Sequence, residues 1–131
     1  MKKLFIFLCI TCLTICNAAP TKSPNYIITK NNPTLNLTLP SNPTTGYSWL
    51  LISYNKSLLK LINHKYTMSN NNKKLVGAGG YETWKFKATR EALKAPHITY
   101  VKLAYARPWE IKANSLPKDF KSTTIYVVIK P

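Results

Sequence analysis

Apolar residues in this chain recur at every second position, in short runs broken by proline, asparagine and glycine. Leu35, Leu37 and Leu39 alternate with Asn36 and Thr38, and Tyr47, Trp49 and Leu51 continue the pattern. Trp84, Phe86 and Ala88 alternate with Lys85 and Lys87. Thr99, Val101, Leu103 and Tyr105 form another run, and Ile125, Val127 and Ile129 the last. Successive side chains of a strand point to opposite faces, so a period of two with one apolar side describes half-buried strands. Residues 26–29 and 60–68 read as two further strands, with a short helical turn over Leu58–Ile62 as the alternative start of the second. Turn signals separate the runs: Asn31-Asn32-Pro33, Asn70-Asn71-Asn72, Ala95-Pro96 and Leu116-Pro117. No stretch sustains a helical period and no internal repeat is present. The pattern predicts one all-β domain, a sandwich or barrel.

The first 18 residues stand outside that pattern. Lys2 and Lys3 precede an apolar run from Leu4 to Ile15, and Cys16-Asn17-Ala18 ends it with short side chains. This is the layout of a signal peptide, with cleavage expected after Ala18 because cutting one residue later would place Pro20 at the bond. A retained anchor is the alternative, but the run is short for a bilayer. Leu13-Thr14-Ile15-Cys16 is a poor lipidation box, since Ile15 is bulky where a small residue is wanted. Cleavage leaves residues 19–131 as one exported domain, periplasmic or secreted, with 19–25 as a mobile leader. Cys9, Cys12 and Cys16 all lie in the removed segment, so that domain holds no thiol, disulfide or cysteine-ligated metal. Its core must stabilise it alone. Removing Lys2 and Lys3 from the 19 basic residues leaves 17 against four acids, a net charge of +13. Such a field speeds encounter with acidic partners without naming one.

Three loops between the predicted strands are unusual in composition. Asn42-Pro43-Thr44-Thr45-Gly46-Tyr47 combines a turn-starting Asn-Pro with a glycine and an aromatic. Pro43 restricts the loop before any partner arrives, and the threonines are small enough to enter a narrow cleft and bond there. Gly77-Ala78-Gly79-Gly80 offers close backbone approach, with Tyr81 expected to begin the next strand. It is no phosphate-binding loop, which needs a following Lys-Ser/Thr on a helix. Arg107-Pro108-Trp109 carries two residue types that dominate interface hot spots. Three such loops on one small domain point to a binding edge.

Taken in order, these loops make the chain resemble the chagasin family of cysteine-protease inhibitors. The family's NPTTG-aromatic, GxGG and RPW motifs match Asn42 to Tyr47, Gly77 to Gly80 and Arg107 to Trp109. Leu39-Pro40-Ser41 and Leu103-Ala104-Tyr105 are also family-like, and the likeness spans roughly residues 25–131. The resemblance implies an immunoglobulin-like β-sandwich of about seven to eight strands with its three binding loops at one end. It implies reversible, tight binding to papain-like cysteine proteases of the papain or cathepsin L type. Thr44 would stand nearest the catalytic cysteine and histidine, with Thr45 beside it. Gly77 to Gly80 would lie along one cleft wall, and Arg107 and Trp109 against the other. Tyr47 departs from a common phenylalanine, and Asn70–Lys74 and the continuation from Arg107 to Lys118 follow no family pattern.

On residue types alone, plainer roles exist for each loop. Asn42–Gly46 can be a turn anchored by Tyr47, the glycines a flexible tip, and Trp109 a cap on the sandwich with Arg107 over its ring. Trp49 and Trp84 read as core, and Tyr100 and Tyr126 as outward-facing. His64 and His97 read as exposed or edge residues without metal-ligand spacing, and Glu82, Glu91, Glu110 and Asp119 are scattered. With no G-x-S-x-G elbow or paired carboxylates, neither enzyme nor cofactor is expected. The rivals are an exported immunoglobulin-like adhesin or assembly domain, and a cationic domain binding nucleic acid or an anionic surface. The lysines look spread over several strands rather than gathered with stacking aromatics, so nucleic acid is not expected. A monomer without a membrane span is.

Overall fold

The computed structural model describes residues 26–69, 77, 79–111 and 120–131. The expected signal peptide and leader, Ala78, Asn70–Lys74 and the Leu116-Pro117 turn lie outside the described residues. Within them, seven strands form: β1 (Tyr26–Thr29), β2 (Thr34–Ser41), β3 (Ser48–Tyr54), β4 (Leu59–Met68), β5 (Gly80–Ala88), β6 (His97–Ala106) and β7 (Lys121–Lys130). They pair into a four-stranded sheet of order β1-β7-β6-β3 and a three-stranded sheet of order β2-β5-β4. All pairings are antiparallel except β1 with β7. The result is the expected all-β, immunoglobulin-like sandwich.

The alternating residues supply its core. Leu35, Leu37, Trp49, Trp84, Phe86, Val101, Leu103, Ile125, Val127 and Ile129 are buried together between the sheets. Phe86 is fully buried with the Tyr54 ring edge-on at 5.3 Å. Each aliphatic or aromatic side chain taken out of water contributes about 1.5–3 kcal/mol, which lets a disulfide-free domain hold. Tyr100 and Tyr126 oppose one another across β6 and β7 and are exposed, as their phase requires.

Three boundaries differ from the pattern. Leu58–Ile62 contains no helical turn. The turn comes earlier, where Asn55 Oδ1 accepts the Ser57 amide at 3.0 Å and the Asn55 carbonyl accepts the Leu59 amide at 2.9 Å. Leu59 then begins β4 with its side chain fully buried. Tyr47 precedes β3 instead of lying in it. β5 begins at Gly80, not Tyr81, because Gly80 pairs with both Ser41 and Met68.

The registers place the three unusual loops. Ser41 at the end of β2 and Met68 at the end of β4 both face Gly80, so the β2–β3 and β4–β5 connections leave the same end of one sheet. Ser48, the first residue of β3, faces Ala106, the last of β6. The Arg107 loop therefore starts beside the return of the Asn42 loop. That first loop also crosses from the three-stranded sheet to the four-stranded one.

Candidate functional site: a ridge of three loops

Asn42 organises the first loop. Pro43–Thr45 form a single 3₁₀ turn closed by Gly46, whose amide donates to the Pro43 carbonyl at 2.9 Å. Gly46 has φ +82°, a left-handed conformation that costs residues with a Cβ. The Thr44 hydroxyl donates to Asn42 Oδ1 at 2.5 Å, and the Thr45 hydroxyl to the Asn42 carbonyl at 2.7 Å. Both threonine hydroxyl protons are thus spent inside the loop, which leaves their oxygens as acceptors for a partner. The Asn42 amide in turn donates to the Tyr105 hydroxyl at 2.9 Å, tying the loop to β6. Pro43, Thr44 and Thr45 are exposed.

The same asparagine reaches the second loop. Asn42 Nδ2 donates to the Gly77 carbonyl at 3.4 Å. Gly77 has φ +88°, and no atom of the described residues lies within 4 Å of where a Cβ would stand. Gly79 backs onto Ser41, its hypothetical Cβ falling 3.5 Å from the Ser41 carbonyl. Gly80 differs from both: it is buried in β5, and a Cβ there would run into the Thr67 carbonyl and the Tyr66 ring.

The third loop touches the first at two points. Arg107, Pro108 and Trp109 follow β6 directly, and Pro108–Glu110 make one 3₁₀ turn. Trp109 does not cap the sandwich. It is 70% exposed, with its ring edge against Gly46. Arg107 does not cover that ring either; its guanidinium lies 4.7 Å over the centre of Tyr47, and its Nη1 reaches Glu110 at 3.2 Å. Tyr47 stacks on Tyr105 at 5.6 Å, and Tyr105 packs against Trp49 at 5.1 Å. A column of four side chains therefore runs from a half-buried cation to the core. Cation–π and aromatic contacts of this kind each contribute about 0.5–1.5 kcal/mol. The exposed Arg107–Glu110 pair adds little.

The predicted site residues thus converge: Asn42 bridges loops one and two, while Gly46 and Tyr47 bridge loops one and three. Sequence reasoning gave no supporting role to three residues beneath them. Tyr105 binds the Asn42 amide, Ser41 ends the strand that feeds the loop, and Glu82 is only 2% exposed at the loop's base. His64 lies on an edge strand as expected, but its ring stacks on Trp84 at 3.7 Å and its Nε2 meets Glu82 at 2.7 Å. Among the described residues, no cluster of three His, Cys, Asp or Glu side chains could hold a metal.

Known proteins are similar to this chain in sequence and in fold. Chagasin from Trypanosoma cruzi is 40% identical over 76 residues, 54% of this chain and 62% of its own length, so the match spans less than two thirds of that relative. The crystal structure of the cysteine protease inhibitor EhICP2 from Entamoeba histolytica superposes with a TM-score of 0.54 at 26% identity, covering 81% of this chain and 98% of the other. Residues 29–125 match the family described as Chagasin family peptidase inhibitor I42. With that match covering most of the chain and the fold agreeing, the chain belongs to the chagasin family of peptidase inhibitors.

Proposed function

We propose that this protein is a reversible, tight-binding inhibitor of papain-like cysteine proteases that fills the active-site cleft with its three-loop ridge. The observation that carries the reading is contact among the loops: Asn42 to Gly77 on one side, Gly46 and Tyr47 to Trp109 and Arg107 on the other. A ridge braced in this way before binding loses little conformational freedom on entering a cleft. The family, and the named activity of the Entamoeba relative, support a protease as partner.

In this reading Thr44, exposed on the 3₁₀ turn, stands nearest the protease's catalytic cysteine and histidine, with Thr45 beside it. Gly77, Ala78 and Gly79 lie along one wall, and Trp109 presses its exposed indole on the other. Arg107 holds Tyr47, and Gly80 holds the base of its loop. Cleavage after Ala18 leaves residues 19–131 without a thiol for disulfide exchange and without an electrophile for the protease's cysteine to attack, so inhibition is occlusion without a covalent bond. The domain acts as a monomer, exported to the periplasm or beyond, and has no catalytic activity of its own.

Titrating the protein into papain and into a cathepsin L-like enzyme tests this. The expected result is stoichiometric loss of peptide hydrolysis, reversed on dilution. Full activity at micromolar protein would exclude the reading and leave an adhesin-type domain, whose affinity would survive exchange of all three loops. A cationic surface binder would instead lose its ligand steeply with salt.

A further inference from the structure

A carboxylate outside the loop motifs ties together the two stems of the first loop. Glu82 is the buried acid of β5, and a buried charge is costly unless its oxygens are satisfied. Here they are. Oε1 accepts the Ser41 hydroxyl at 2.5 Å and the Trp49 amide at 3.0 Å, and Oε2 meets His64 Nε2 at 2.7 Å. Ser41 is the last residue of β2 in one sheet, and Trp49 the second residue of β3 in the other. One oxygen therefore spans the sheets at the point where the loop leaves the first and enters the second. The bond from Trp49 Nε1 to the Pro40 carbonyl, at 2.9 Å, runs beside it. The His64 ring, stacked on Trp84 with an interplanar angle of 13°, keeps its nitrogen aimed at the carboxylate from β4.

We propose that Glu82, oriented by His64, is a positioning residue for the inhibitory loop: it sets the spacing of the stems and through them the shape of Asn42–Tyr47. This rests on the assignment of that loop as the plug. Glu82 touches no protease. It acts by populating the binding-competent loop, since affinity falls in proportion to the fraction of protein in that state.

The test compares four variants of the full-length chain at a temperature where each is folded. Glu82→Ala removes the clamp, Glu82→Gln keeps an oxygen for Ser41 and Trp49, and Ser41→Ala removes one donor. Val127→Ala lowers stability through a fully buried core residue on a strand not joined to this clamp. Two quantities are read: the inhibition constant for papain, and amide exchange at Thr45 and Gly46, whose N–H groups bond within the loop. Glu82→Ala loses all three bonds and should speed both exchanges and weaken inhibition at least about tenfold, the scale of a single charge-assisted bond, and Glu82→Gln should restore most of it. Val127→Ala should change neither. If Glu82→Ala does not fold, Ser41→Ala carries the test, with faster exchange and an effect of about threefold. Wild-type exchange and inhibition in a folded Glu82→Ala, or in Ser41→Ala where Glu82→Ala does not fold, would overturn the proposal, as would the same losses in Val127→Ala. Should the wild-type protein fail to inhibit papain, the functional reading falls, and amide exchange alone decides the role of Glu82.

Discussion

The indole of Trp109 lies so close to Gly46 that a Cβ built there would stand 2.6 Å from Cη2 and 3.0 Å from Cζ2. Glycine is therefore required twice at this position, by the φ of +82° and by a neighbour from another loop. Gly46→Ala should cost about 1–2 kcal/mol of stability from the left-handed backbone alone. It should also push Trp109 away and weaken protease binding. Thermal melts and inhibition constants measured together check this; unchanged inhibition would mean that loops one and three do not act as a unit.

Trp109 itself separates stability from binding. At 70% exposure it contributes little to the fold, and Trp109→Ala should shift stability by no more than about 0.5 kcal/mol. As an exposed aromatic beside the proposed plug it should anchor the complex, so the same change should weaken inhibition by about 30-fold, or 2 kcal/mol. Melting curves and a papain titration on one preparation distinguish the two effects.

Thr44 tests the assignment of the tip. Among the described residues its exposed side chain bonds only to Asn42, so Thr44→Arg should fold normally. A bulky cation at the deepest point of a cleft should raise the dissociation rate and leave association within about threefold, the usual partition for interface changes. Stopped-flow association and displacement measurements read each rate. An unchanged dissociation rate would move the plug elsewhere on the ridge.

The second loop's glycines should divide into two kinds. Gly80→Ala places a methyl against the Thr67 carbonyl and the Tyr66 ring, and overpacking of this sort costs about 1–3 kcal/mol. Gly77→Ala meets nothing among the described residues and pays only for its φ of +88°, about 1 kcal/mol. Denaturant melts should rank the variants in that order.

Much of this architecture was legible because a strand's period is simple and its breakers are distinct. Leu35, Leu37, Trp84, Phe86, Val127 and Ile129 are buried where alternation places them. The loops were legible from Pro43 and the glycines, whose backbone demands are local. Contacts between loops were not, because nothing in the spacing of Arg107 and Tyr47 shows that one covers the other. Glu82 is the instructive omission. It shares the phase of Trp84 and Phe86 on an alternating strand, which placed it on the buried face, and a buried acid implies partners nearby. In the sequence it is only one of four scattered acids, whereas Ser41, Trp49 and His64 come from three other strands and meet only in the folded sandwich.

Access to the catalytic thiol of the protease tests the central claim most directly. Papain mixed with this protein should lose reactivity toward a small alkylating agent in proportion to the amount added. After dissociation, the thiol should be recovered intact and the inhibitor uncleaved. Alkylation at the free rate in the presence of saturating protein would contradict a loop ridge seated in the cleft.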